Sequence, residues 1–166
     1  HVWRIRRLRG ERHRRDPLRL ISHFAEIDES NTVLRVLVVP DEQEHRGQEY
    51  MADDLGLGGT WIQCSYNTRR GVHILGGSPF RYNMAAPGWT WDEANDAFIP
   101  RKVYPSWVLT EEFDWEPPIP VPAGTTFVGP AHAMGFEMVE EDGEQVESWT
   151  FYDWDEATTS WVEITE

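Results

Sequence analysis

The sequence predicts a mainly β protein, with an α+β N-terminal module of β-β-α-β order followed by Trp/Pro-rich β-hairpins. Three observations carry that reading. Nine tryptophans and eleven prolines in 166 residues favour strands broken by punctuated loops. The stretch Thr32-Val-Leu-Arg-Val-Leu-Val-Val39 is rich in β-branched residues. A cassette of strand, acidic turn and returning aromatic occurs three times in the second half, as Trp89–Phe98, Ser106–Trp115 and Phe151–Trp161.

The chain is long enough to bury one real core or two small ones. Residues 1–20 hold eight of the fifteen Lys/Arg and two of the twenty-nine acids. They show no apolar period, and residues 1–21 are expected to form a basic leader outside the fold. The rival reading of this segment is a basic tail that binds nucleic acid or an acidic partner. Its arginines resemble the start of an export signal, but no apolar stretch follows them.

Residues 22–88 form the first expected module. His23–Asp28 and Thr32–Val39 read as a hairpin around Glu29-Ser-Asn31. Beyond Pro40, Asp41 is placed to cap a short, mostly solvated helix reaching about Leu55, with Tyr50, Met51 and Leu55 on its apolar face and Gly56 as its stop. Thr60–Tyr66 follows as a strand that places Ile62, Cys64 and Tyr66 toward the core. Residues 67–88, rich in Asn, Arg, Gly and Pro, are expected to be a long loop joining the modules.

Residues 89–166 form the second expected module. Its prolines limit strand length, and the run at 117–123 reads as a stiff linker. Gly124–Gly135 is expected to be loop. Phe136–Glu140 and Gln145–Phe151 are expected to pair around the turn Asp142-Gly143.

Trp91 and Phe98 are seven residues apart, as are Trp154 and Trp161. Turns centred on residues 94–95 and 157–158 set each pair directly across a hairpin. Such aromatic pairs contribute about 0.5–1.5 kcal/mol beyond burial. Asp92 and Asp155 enter these turns, where a carboxylate accepts backbone N–H groups. The middle copy, with Trp107, Leu109 and Trp115, is a looser match. Intervals of this irregularity do not describe a solenoid.

A second use of the same residues is a glycan platform, in which exposed Trp89, Trp91, Trp107, Trp115, Trp154 and Trp161 stack on sugar rings while neighbouring carboxylates accept hydroxyl protons. Stapling is the more frequent role of paired aromatics. No catalytic, cofactor or metal motif stands out. His45 and Glu49 share a helical face but lack a second histidine. Gly56-Leu-Gly58-Gly59 leaves a helix, whereas a phosphate loop enters one. Cys64, the sole cysteine, reads as a buried structural thiol. Asp142-Gly-Glu144 lacks the full oxygen-ligand pattern of a calcium loop.

Residues 21–166 carry seven bases against twenty-seven acids, so this body repels nucleic acid and anionic membranes. No apolar run is long enough for membrane insertion as a helix.

His23-Phe-Ala-Glu-Ile-Asp28 with Val33-Leu-Arg-Val-Leu-Val-Val39, Trp61-Ile-Gln-Cys-Ser-Tyr-Asn67 with Arg70-Gly-Val-His73, the segment from Trp89 to Pro122 with its Asp96-Ala-Phe-Ile-Pro-Arg-Lys-Val-Tyr-Pro-Ser-Trp107 and Trp115-Glu-Pro-Pro-Ile-Pro-Val-Pro122, and Trp154-Asp-Glu-Ala-Thr-Thr-Ser-Trp161 together resemble a family of small, largely uncharacterised proteins. These are encoded by marine tailed bacteriophages of cyanobacteria and other ocean bacteria. The resemblance covers residues 22–122 and 151–162. Family members usually begin with a methionine just before His-Phe-Ala, where this chain has Ile21 and Ser22, so the resemblance implies that residues 1–20 are foreign to the fold. Cys64 stands where threonine is expected, and residues 124–150 are unmatched.

The resemblance implies a non-enzymatic virion structural or accessory protein, as head decoration or tail or fibre component, assembled in the host cytoplasm. It implies capsid or tail proteins as partners, with host surface glycan and a homo-oligomer as further possibilities, and no cofactor.

Overall fold

The computed structural model describes residues 21–165, so the expected leader at 1–20 lies outside the described residues. Ile21, assigned to that leader, is the first residue of a strand. The chain is mainly β and divides into two units, residues 1–99 and 100–166.

The first unit is built on a three-stranded antiparallel sheet. Strand β1 (Ile21–Ile27) lies at its centre, between β2 (Val33–Pro40) and β3 (Thr60–Cys64). The β1–β2 turn is held by Asp28, whose carboxylate accepts the N–H groups of Ser30 at 2.8 Å and Thr32 at 2.9 Å. Asn31 takes the left-handed conformation there (φ 61°), which asparagine tolerates better than most residues.

Between β2 and β3 runs an irregular helical segment. It is a 3₁₀ turn at Asp41–Arg46, an α turn at Gly47–Glu49 and a π turn at Tyr50–Asp54. Pro40, not Asp41, occupies the capping position, and it makes no side-chain cap bond. Of the expected apolar face, Met51 is fully buried, Tyr50 is half-buried and Leu55 is exposed. Gly56 ends the segment with φ +65°, as its position predicts.

Both faces of this sheet are covered. Phe24, Val39, Met51 and Trp61 form a core on the helical side. Ala25, Ile27, Val33, Cys64, Ala85, Trp91 and Phe98 form another on the opposite side. Neighbours Phe24 and Ala25 are therefore both buried, although they point to opposite faces. The same holds for Trp61 and Cys64, so the expected single core face of β3 is corrected, and Tyr66, assigned to that face, is exposed.

Residues 67–88 are largely irregular, as expected, but they pack within the first unit and so do not join two modules. They contain the short hairpin β4 (Thr68–Arg69) and β5 (Val72–His73), and bury Thr68, Asn83 and Ala85. Asn83 donates to the carbonyl of Phe98 at 2.9 Å and accepts the Arg70 N–H at 3.0 Å. Arg81 donates to the Gln63 carbonyl and to Asp96, the latter at 3.1 Å.

These bonds hold the hairpin of β6 (Thr90–Asp92) and β7 (Ala97–Ile99) in the core on the side of the sheet opposite the helical segment. The expected boundary at 88/89 therefore falls at 99/100.

The second unit pairs β8 (Val108–Leu109) with β9 (Trp115–Glu116), and carries a four-stranded meander. The meander runs β10 (Thr125–Gly129), β11 (His132–Glu141), β12 (Glu144–Asp155) and β13 (Ser160–Ile164). Gly124–Gly135, expected as loop, instead supplies β10 and the start of β11, because Thr125-Thr-Phe-Val128 has strong strand propensity. Asp142 and Gly143 both have positive φ, 52° and 85°, the conformation a tight two-residue hairpin demands.

Candidate functional site

The cassette fixes where the tryptophans go. Trp91 lies directly opposite Phe98, and Trp154 opposite Trp161. Their ring centroids are 4.8 Å and 5.6 Å apart respectively. The turn aspartates act as their position predicts. Asp92 accepts the Asn95 N–H at 3.1 Å, while Asp155 accepts the Ala157 N–H at 3.1 Å and the Thr158 hydroxyl at 2.6 Å. In the middle copy Leu109 pairs with Trp115.

In the second unit these aromatics gather into one cluster. Trp107 stacks on Tyr104 at 4.8 Å and meets Trp154 edge-on at 6.5 Å. Phe127 meets Trp161 edge-on at 5.9 Å. The Trp115 indole N–H donates to the Pro100 carbonyl at 2.7 Å, and Lys102 lies over its ring at 4.9 Å. Trp161 donates to the carbonyl of Ile119 at 3.1 Å, so the expected proline linker is tied to the cluster.

Glu156 is the polar centre of the cluster. It accepts the Trp154 indole N–H at 2.9 Å, the Ser106 N–H at 2.8 Å and the Ser106 hydroxyl at 2.7 Å. The Trp154 bond above all, then those from Ser106, hold its carboxyl below the usual glutamate range. A carboxylate so occupied is a structural acceptor, not a poised acid. The Trp107 indole N–H, by contrast, is buried with no partner.

This geometry corrects half of the expected glycan platform. Trp91, Trp107 and Trp154 are 6%, 7% and 6% exposed, and their faces are consumed by other rings. Trp89, Trp115 and Trp161 remain half-buried. Among the described residues the tryptophan that does face outward is Trp149, at 47% exposure, which the cassette did not single out. Its signal was the alternation Trp149, Phe151 opposite Met134, Phe136, which marks one apolar strand face.

Of the other candidates, Cys64 is buried, and that burial pushes its thiol pKa up to about 11. Glu49 pairs with Arg46 at 3.6 Å, and His45 is exposed. Among the described residues, no three His, Cys, Asp or Glu side chains gather to hold a metal ion, and no helix is long and apolar enough to cross a membrane. No family model, no curated protein and no solved structure matches this chain.

Proposed function

We propose that this chain is a non-enzymatic structural or accessory protein of a tailed-bacteriophage particle, placed on the head or on the tail or its fibres and assembled in the host cytoplasm. One observation carries the reading beyond the resemblance itself: the segments that resemble the phage family carry several of the bonds between distant parts of the chain. Asp96 pairs with Arg81, Pro100 receives the Trp115 indole, Ser106 binds Glu156, and Ile119 receives Trp161. Residues with architectural work of this kind suit a protein whose task is to hold a shape and dock, and the reading assigns no reaction and no cofactor to the chain.

Its partners are other particle proteins, since the acidic body is repelled by nucleic acid. Mass spectrometry of purified particles tests the proposal. The chain is expected at stoichiometric abundance, and its absence from intact particles would end the reading.

A second reading, glycan recognition, is favoured by the half-buried Trp89, Trp115 and Trp161. It predicts quenching of tryptophan fluorescence by host surface glycans, abolished by Trp115→Ala. A flat titration with the whole glycan set counts against it.

A further inference from the structure

Strands β11 and β12 outrun their neighbours. β10 pairs with β11 only as far as Gly135, and β13 pairs with β12 only back to Phe151. Residues 136–141 and 144–150 therefore pair only with each other in the sheet, as a two-stranded arm about 20 Å long. Such a ribbon has two open edges and no core of its own.

The arm has a distinct chemistry. One face presents Phe136, Met138 and Trp149, which runs on into Phe151, Val162 and Ile164 on the same side of the sheet. Each of these six is 46% to 49% exposed. Together they leave on the order of 500 Å² of apolar surface open, at the top of the range for a monomer. Phe136 and Trp149 hold each other at 4.7 Å, so the surface is preformed. Between them in sequence stand six acids, Glu137, Glu140, Glu141, Asp142, Glu144 and Glu147, and no Lys, Arg or His; Glu140 and Glu147 rim the apolar face, and Glu137, Glu141 and Glu144 lie on the other.

Charge and area select the occupant. Two copies joined through this face would bury on the order of 1,000 Å², below a standard stable interface, and would bring twelve carboxylates together without a cation. Nucleic acid and anionic lipid are repelled by the same groups. An extended protein strand with alternating apolar and basic side chains fits both properties. Added to an arm edge, it sets its apolar residues beside Phe136 and Met138, and its basic residues on the other face beside Glu137 and Glu141.

We infer that the β11–β12 arm is a docking arm for a cationic, amphipathic strand of a partner protein. The inference stands whether or not that partner belongs to a particle, so particle proteomics and the following assay fail separately.

The full chain is titrated against a labelled peptide of alternating arginine and leucine, read by fluorescence anisotropy. Alternating arginine–serine and glutamate–leucine peptides serve as controls. The arginine–leucine peptide is expected to bind at least about tenfold more tightly than either control. The double variant Phe136→Ser/Trp149→Ser and, separately, Glu137→Lys/Glu141→Lys are each expected to weaken it by about tenfold, the second also flattening its salt dependence. Glu111→Lys/Glu112→Lys makes the same charge change off the arm and is expected to leave binding unchanged.

Equal binding of the arginine–serine peptide, or undiminished binding by the charge-reversed arm, overturns the inference. So does a sedimenting oligomer of the wild-type chain that Trp149→Ser dissociates, which would make the occupant a second copy.

Discussion

The hairpins of Trp91–Phe98 and Trp154–Trp161 share a spacing, a register and an aspartate at the turn, yet they are stabilised differently. In the first, Phe98 is wholly buried against a sheet that brings Ala25, Val33 and Cys64, and the folded segment 67–88 clamps the hairpin through Asn83 and Arg81. In the second, the aromatic pair joins other aromatics around a single carboxylate, Glu156, and Trp161 stays half-buried. One cassette serves as the lid of an aliphatic core, the other as part of a small aromatic core of its own. Identical local rules leave the depth of burial open, because depth depends on what the rest of the chain brings to each hairpin.

The contrast predicts a graded series of effects. The largest is at Phe98: Phe98→Ala removes a fully buried ring and should cost about 3–5 kcal/mol, measured by urea unfolding. Trp161→Ala, at the equivalent half-buried position, should cost clearly less. Equal losses would erase the distinction between the two hairpins.

Next is Gly47→Ala. Alanine favours helix over glycine by about 1 kcal/mol, but here its Cβ would sit 2.1 Å from the Phe24 ring. The clash should win, for a net loss of about 1–3 kcal/mol, seen as a lower midpoint at an unchanged m value. A stabilised variant would show that the helical side of the first sheet yields easily.

Glu156 offers a pH-dependent test of the second hairpin. Its folded pKa is depressed, so its contribution is present above the ordinary glutamate value of 4.5 and is lost as pH falls through the lower folded value. Wild type and Glu156→Gln should therefore differ in thermal midpoint near neutral pH and converge in acid. A constant difference down to low pH would mean the carboxylate charge is not what the Trp154 and Ser106 donors recognise.

The smallest effect is expected at Trp107. Trp107→Phe loses ring volume but also removes a buried N–H with no partner, worth about 1–3 kcal/mol. The two terms oppose, and the net should lie within about 1 kcal/mol of wild type. Trp154→Phe loses the same volume and a bond to Glu156 as well, so it should be clearly worse.

Much of this fold was legible because local chemistry enforces it. Pro40 ends β2, Gly56 stops the helical segment, Asp142-Gly143 makes its turn, and the seven-residue aromatic spacing pairs as arithmetic requires. Residues 67–88 were misread because their order comes from bonds to distant partners, Arg81 to Gln63 and Asn83 to Phe98, which leave no periodic trace. Gly124–Gly135 was misread because Gly124 on one side and Gly129-Pro130 on the other masked a five-residue strand. The candidate site was half legible. Aromatic content pointed to all six tryptophans, but exposure, which decides whether a ring can meet a ligand, is set by the cluster and not by the residue.

The sequence by itself determined a β-rich architecture, its hairpin registers, its turns and its strongly acidic body, since each follows from the conformational preferences and charges of neighbouring residues. Only the tertiary structure decided that the first sheet is covered on both faces, that Trp91, Trp107 and Trp154 are enclosed, and that Trp149 stands outward on an acidic arm. Those outcomes depend on contacts between segments far apart in the chain, and burial is a property of the whole assembly of such contacts.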